Sequence, residues 1–416
     1  MPQRTTLSTS TDSYAYAIPK LLVDLVAWPK PLHTAEADSF AYNTFKIRIP
    51  LIVDDILASN WFPPDVRDAM LALRAEVAGG VVQPLAEQAP DVEFWNAVSR
   101  EHHGRSWLDV PWYWAESYFY RRVLEATRYF QPGHPWFSID PYANKKRAEI
   151  QPAAAPRLVD ETLEGLPDDQ NKRFKLLCYA SLWGNRVDLS YNVAKHIAPA
   201  ASLEDERAHL LIDDTQRTYD HLAARRGATV AVITDNSGAE LLMDLALVDF
   251  LLSADLAASV ELNLKSQPFY VSDAMPKDVL EHIEALASAG AQAHALSCRL
   301  GDALRAGRLQ LRQHWFYTTS LMYYQLPDDL RRSLSRFDLV VLKGDANYRR
   351  LLGDAHWDPT VPFAKIASYF PTPLLALRTL KAELIAGLEP GEAERLNAVD
   401  PAWRTNGQRG VAQAKF

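Results

Sequence analysis

The chain has 416 residues, 48% hydrophobic and 23% charged, with a net charge of −8. On length alone, this ordinary globular composition allows two or three folded units. No basic run stands out, which argues against nucleic acid and for a small molecule as partner. The two cysteines, Cys178 and Cys298, lie far apart and suggest neither a disulfide framework nor a cysteine metal site.

The first twenty residues lack the apolar core of a signal peptide. The longest apolar stretch, Met243 to Leu252, contains Asp244 and Asp249 and falls far short of the roughly 20 residues that span a bilayer. A cytoplasmic protein with no membrane partner is expected, its oligomeric state left open.

Residues 1 to about 155 read as helical with aromatic insertions. Phe40 to Pro50 leads into Leu51 to Leu57, apolar at helical spacing, and Pro111 to Phe130 repeats with the same period. The turn clusters Trp61 to Pro64 and Gln131 to Pro135 punctuate these helices. Gln151 to Pro156 reads as a linker, and beyond it the character changes. Short β-branched runs, Ala228 to Thr234, Phe269 to Ser272 and Leu339 to Leu342, alternate with helical stretches at Ser237 to Ala254, Asp278 to Ala289 and Tyr348 to Leu352. That alternation predicts βαβ units and a parallel sheet covered by helices, an α/β fold.

In such sheets ligands gather where strands end. After the first run stand Asp235, Asn236, Ser237, Gly238 and Glu240. Asp235 and Asn236 offer hard oxygens suited to Mg²⁺ or Mn²⁺, and Ser237 and Gly238 would let a helix N-terminus approach an anion. Asp235 acting only as an N-cap is the plainer alternative. The second run ends on Asp273, a carboxylate that alone would also pass for a cap. The third delivers Lys343, Gly344, Asp345, Ala346, Asn347, Tyr348 and Arg349. Lys is a point charge for phosphate and Arg a bidentate fork, against the alternative of a solvated, mixed-charge turn. Arg378 and Lys381, three apart, would share one face of a helix and suit an anion, though such pairs are often mere surface features.

Taken in order, the segments SFAYNTFKIRIP, AESYFYRR, DPYANKK, Ser181 to Ser190, TDNSGAE, KSQPFYVSDA, LKGDANYRRLLGD and RTLK resemble the damage-control phosphatases. The resemblance is to the subfamily of acidic-residue methyltransferase-like proteins, whose RTxK signature RTLK matches. It implies a Rossmann-like three-layer α/β/α domain, here residues 156–416, with a helical N-terminal domain, here 1–155. It also implies a divalent metal on Asp235, Asn236 and Asp273, with Mn²⁺ or Mg²⁺ foremost and Co²⁺ or Ni²⁺ possible. A small phosphorylated metabolite, such as fructose 1-phosphate or fructose 6-phosphate, would be bound by Asp345 to Arg349 and Lys381. Departures are small: Ser237 and Ala346 stand where the family often has Ala and a larger apolar residue, and Ala346 bears on pocket shape.

On residue types, Lys343, Arg349, Arg378 and Lys381 are candidates to neutralise a transferring phosphoryl group. Attack by water is favoured over attack by Asp235, since a metal-held carboxylate is poorly free to move in line. Some members of the subfamily are described as S-adenosylmethionine-dependent carboxyl methyltransferases, whose contacts would fall on Glu240, Asp273 and Arg48. The chain shows no GxGxG-type loop for that cofactor, so this is the alternative activity. A non-catalytic sugar-phosphate binding protein is the other. The 11 histidines form no HExxH, and no G-x-S-x-G appears.

Overall fold

A computed structural model describes residues 19–24, 27–150, 154–184, 207–225 and 227–416. The part of the Ser181 to Ser190 motif from Asn185 onward lies outside them, as does the start of the expected linker, residues 151–153. Among the described residues, no helix is long and apolar enough to cross a membrane.

The strands are β1 Leu210–Asp213, β2 Thr229–Ile233, β3 Ser259–Leu264, β4 Leu309–Gln313, β5 Leu339–Lys343, β6 Leu374–Thr379 and β7 Gly410–Lys415. They form one sheet in the order β1-β7-β6-β5-β2-β3-β4. The neighbours from β6 to β4 pair in parallel, while β7 runs antiparallel to β6 and parallel to β1. From β2 the chain steps outward to β3 and β4, then crosses back to place β5 and β6 on the other side of β2. The crevice above β2 and β5 is therefore the switch point at which a doubly wound sheet binds ligands.

Alternation along the strands divides the core. Val230, Val232, Val260 and Val341 pack with the helices Ala154–Glu164, Gln170–Trp183, Ala239–Ser253, Pro276–Leu286 and Ala291–Arg305. Ala231, Ile233, Val340 and Leu342 face the other way, into one cluster with Phe45, Ile49, Trp107, Tyr118 and Phe119 of the N-terminal helices and with Phe316 and Phe370. The helical N-terminal part thus covers one face of the sheet, and the core is continuous across residue 155.

Several expectations are corrected. Ala154 to Pro156 begin the helix Ala154–Glu164 rather than continue a linker; proline is tolerated in a first turn, where its missing N–H would have no partner. Phe269 to Ser272 is a loop after β3, since Tyr270 and Val271 have φ of 45° and 64°, a left-handed conformation no strand adopts. Its aromatic character serves packing instead, with Tyr270 lying 4.7 Å from Tyr120 and 4.8 Å from Phe269 between ring centroids. The true strand, β3, reads SVELNL, its polar Glu261 and Asn263 hiding it from an apolar pattern. Arg378 is next to last in strand β6 and Lys381 lies beyond it, so the two share no helix face.

Gly344 joins β5 to the helix Asp345–Leu351 at φ +84°, and a Cβ there would lie 1.9 Å from Asp235 Oδ2. The β2 and β5 loops can approach only because this position is glycine. Gly344→Ala is expected to cost about 2 kcal/mol or more, combining left-handed strain with overlap. Denaturant unfolding checks this, and parental stability in the variant would contradict it.

Candidate functional site

A cavity of about 410 Å³ opens at the switch point, lined by Asp235, Asn236, Glu240, Ser272, Asp273, Gly344, Asp345, Ala346, Arg349 and Lys381 from the loops and helices that follow the strands. The N-terminal helices close its other side with Arg48, Asp55, Trp112, Glu116, Tyr120, Lys145 and Glu149. Arg48 ends a π-helical turn, Thr44–Arg48, just ahead of Pro50, whose missing N–H suits a widened turn.

The β2 and β3 loops are joined by backbone. Asn236 and Asp273 form an isolated antiparallel bridge, Ala274 N–H donates to Asp235 O at 2.8 Å, and Ser237 N–H donates to Ser272 O at 2.6 Å. Asp235 does not cap the following helix: the N-cap position is Gly238, with no side-chain cap bond. Nor are these amides free for an anion. Ser237 N–H is taken by Ser272, and Gly238 N–H donates to His282 Nε2 at 2.7 Å. The expectation that Ser237 and Gly238 offer their amides to an anion is corrected accordingly, because the imidazole stands where a phosphate oxygen would accept from Gly238.

Charge is concentrated here. Asp235, Glu240 and Asp273 are all buried, at 8%, 4% and 2% exposure. Burial, then the neighbouring Glu240 and Asp273, pushes the Asp235 carboxyl well above the usual carboxylate range, against the pull of Lys265 and Lys381. Burial also raises Asp273, opposed by Lys265. Asn236 Nδ2 lies between two of these groups, donating to Asp235 Oδ2 at 2.9 Å and Glu240 Oε2 at 3.0 Å, while its Oδ1 accepts from Ser272 Oγ at 2.6 Å.

Three buried cations offset this charge from behind. Lys265 Nζ lies 2.9 Å from Asp273 Oδ2 and donates to Thr234 O at 3.2 Å. Lys343 Nζ pairs with Glu240 Oε1 at 3.1 Å and Asp244 Oδ1 at 2.8 Å, and also donates to Ser181 O. Arg378 Nε donates to Asp345 Oδ1 at 2.7 Å, and its other nitrogens donate to Leu384 O and Ala382 O. Neither Lys343 nor Arg378 is among the cavity-lining residues.

The helix Asp345–Leu351 turns Asp345, Ala346 and Arg349 toward the cavity. Asn347 and Tyr348 point inward. Asn347 Nδ2 donates to Thr234 O at 3.1 Å and Lys343 O at 2.9 Å, and Tyr348 Oη donates to Gln413 Oε1 at 2.7 Å. Arg349 is pinned between Glu116 at 2.6 Å and Asp354 at 2.7 Å, its guanidinium 3.5 Å from the Trp112 ring centroid. Lys381 is exposed, and its ammonium makes no hydrogen bond or ion pair among the described residues.

Sequence reasoning assigned no role to Lys265, Lys146, Glu116, Glu149 or His282. Lys265 and Lys146 stood inside quoted motifs, but nothing in their spacing shows that they meet Asp273. Glu116 and Glu149 come from helices distant in sequence and only the tertiary fold brings them to the cavity.

The donor set of Asp235, Asn236 and Asp273 is two carboxylates and an amide, hard oxygens of the kind Mg²⁺ and Mn²⁺ prefer. Buried carboxylates held together against their own repulsion fit such an ion. Among the described residues, no group of three or more His, Cys, Asp or Glu forms a metal cluster.

Residues 44–396 match the damage-control phosphatase ARMT1-like domain. The chain is similar to the damage-control phosphatase ARMT1 of Mus musculus, 33% identical over 438 residues, covering 92% of this chain and 98% of that protein. It is equally similar to the Bos taurus protein of the same description, 33% identical over 434 residues with the same coverage. A solved DUF89 family protein from Pyrococcus horikoshii shares 15% identity at a TM-score of 0.48, over 89% of this chain and 96% of that one. With the family match spanning most of the sheet and its N-terminal cover, the chain belongs to the damage-control phosphatase ARMT1-like family.

Proposed function

We propose that this chain is a metal-dependent phosphatase that hydrolyses small phosphorylated metabolites, hexose phosphates such as fructose 1-phosphate or fructose 6-phosphate foremost, in the cavity between β2 and β5. Family membership supports phosphatase chemistry with a small-molecule substrate. The observation that carries the reading is the charge arrangement: a buried acidic floor of Asp235, Glu240 and Asp273 near the exposed ammonium of Lys381, which has no ion-pair partner among the described residues. A cation above the carboxylates and a positive group on the lip would together offset the charge of a phosphate monoester.

Asp235, Asn236 and Asp273 would hold the ion, Mn²⁺ or Mg²⁺, with Co²⁺ or Ni²⁺ also compatible with the affinity order. When bound, the ion supplies Lewis-acid polarisation of a phosphoryl oxygen and lowers the cost of attack by water. Lys265 keeps Asp273 oriented through its carboxylate, and Lys343 does the same for Glu240. Arg378 fixes Asp345, which in turn accepts from the Lys381 backbone N–H at 3.2 Å and so sets where the Lys381 side chain starts. Arg349 is already shared by two carboxylates, so it orients the wall formed by Trp112 and Glu116 and adds little free positive charge. The phosphate grip then falls chiefly to Lys381. Ala346, small and on the cavity wall, leaves room for the sugar.

Phosphate release over a panel of phosphorylated metabolites is expected to require added Mn²⁺ or Mg²⁺ and to stop on chelation. Asp273→Ala is expected to lose both metal binding, read by calorimetry, and turnover. Metal-independent turnover would sink the reading; tight sugar-phosphate binding without turnover would replace it with a binding protein.

Lys381→Ala removes a charge-assisted contact and is expected to weaken substrate by about tenfold or more. A rise in KM with kcat little changed would mark a grip on ground and transition state alike; a fall in kcat would mark contact with the developing charge. Metal affinity is expected to stay at the parental value, and an equal loss in Lys381→Ala and Asp273→Ala would refute this division of roles.

A further inference from the structure

Lys146 lies on the helix Ala143–Ile150, in the N-terminal part, yet its side chain enters the sheet domain. It is 3% exposed, and its ammonium donates to the backbone carbonyl of Asp273 at 2.8 Å. The same ammonium reaches Asp278 Oδ2 at 2.8 Å and Asp140 Oδ2 at 3.3 Å. A buried ammonium is costly to desolvate and persists only with its three protons satisfied; here all three point at fixed oxygens.

Those oxygens belong to a wider scaffold. Asp278 Oδ2 also accepts from Met275 N–H at 2.9 Å, so one carboxylate ties Lys146 to the start of the helix Pro276–Leu286. One turn on, His282 Nδ1 lies 2.7 Å from Asp278 O, and its Nε2 accepts from Gly238 N–H. The ring is therefore read as donating from Nδ1, neutral, in keeping with burial holding its pKa down. Asp140 is steadied by Lys277 at 2.8 Å and by the Tyr142 N–H at 2.8 Å. Both loops that carry Asp235 and Asp273 are thus anchored to one short helix, and Lys146 is the buried strut that joins it to the N-terminal layer, beside the more exposed pairs Lys277–Asp140 and Arg147–Glu281.

We propose that Lys146 is a positioning residue, which holds the Asp273 loop in place for catalysis through the Asp273 carbonyl and couples the helical N-terminal layer to the active centre. It lies outside the cavity lining, so its hold on the site runs through the Asp273 carbonyl. The loop it steadies needs such a hold, because Tyr270 and Val271, three and two residues before Asp273, are in left-handed conformation. For its catalytic consequences the proposal rests on the reading given under Proposed function.

Lys146→Met keeps the stem and removes the ammonium. Hydrogen–deuterium exchange on the full chain without metal is expected to show amides of 265–276 exchanging about ten- to a hundredfold faster, with those of β2 and β5 changed by about twofold or less. Mn²⁺ binding by calorimetry is expected to weaken about tenfold, and kcat to fall while KM for the hexose phosphate shifts by about threefold or less. Lys146→Arg, which keeps a cation able to bridge the same acceptors, is expected to recover part of the loop protection. If Lys146→Met does not fold, Lys146→Gln is measured in its place. Parental exchange in 265–276, or acceleration spread evenly over the whole chain, overturns the proposal. A wild-type chain that neither binds Mn²⁺ nor releases phosphate overturns only the underlying functional reading, since the exchange comparison involves neither metal nor substrate.

Discussion

Mutual repulsion among buried carboxylates at the end of β2 is the constraint to which the rest of the structure answers. Asp235, Glu240 and Asp273 converge where water is scarce, and in a medium of low dielectric such a cluster is strongly unfavourable by itself. The fold places buried cations behind two of its members, Lys265 at Asp273 and Lys343 at Glu240 and the adjoining Asp244, with Arg378 at the neighbouring Asp345. None of these is a surface pair. Each lies at the C-terminal end of a strand or just beyond it, β3, β5 and β6 in turn, so the parallel sheet delivers counter-charges and carboxylates to the same edge. Removing one member of such a pair leaves the other buried and unpaired, which is why the arrangement tolerates little change.

The N-terminal helices complete this arrangement rather than stand apart from it. They share a hydrophobic cluster with one face of the sheet and close one side of the cavity. Glu116 reaches Arg349 from the helix Trp112–Ala126, and Tyr113 N–H donates to Asp354 Oδ2 at 3.0 Å, so the Arg349 clamp spans both parts of the chain. A layer that supplies partners to the site cannot drift relative to it without cost.

The alternation of β2 and β5 with their helices was legible in the sequence because TVAVI and LVVLK are apolar runs followed by polar turns. The strand β3 was not, since Glu261 is paired with Arg312 and Asn263 with Tyr317, partners that a one-dimensional pattern cannot reveal. The same limit applied to the site. Asp235 and Asn236 were conspicuous as polar residues at a strand end and Asp273 as the close of an apolar run, and the fold brings all three to one cavity. Lys343 and Arg378 were equally conspicuous, yet their charge is spent on carboxylates inside the protein. Sequence shows that a cation is present; only packing shows which anion it faces. Tyr270 and Val271 illustrate a further limit, because β-branched and aromatic residues signal a strand until backbone geometry turns them into a loop.

The imidazole of His282 on the Gly238 amide has a consequence for how the cavity responds to solution conditions. Many phosphate sites cradle the anion in helix-terminal amides, fixed dipoles shielded from bulk solvent. Here the Gly238 amide is taken by a side chain, and on the proposed function attraction would fall chiefly to the exposed Lys381 ammonium at the rim. Counter-ions screen an exposed charge over a Debye length of about 8 Å at physiological ionic strength, whereas buried dipoles are hardly affected. On the function proposed above, substrate capture would follow the salt content of the surroundings more closely than in an amide-cradled site.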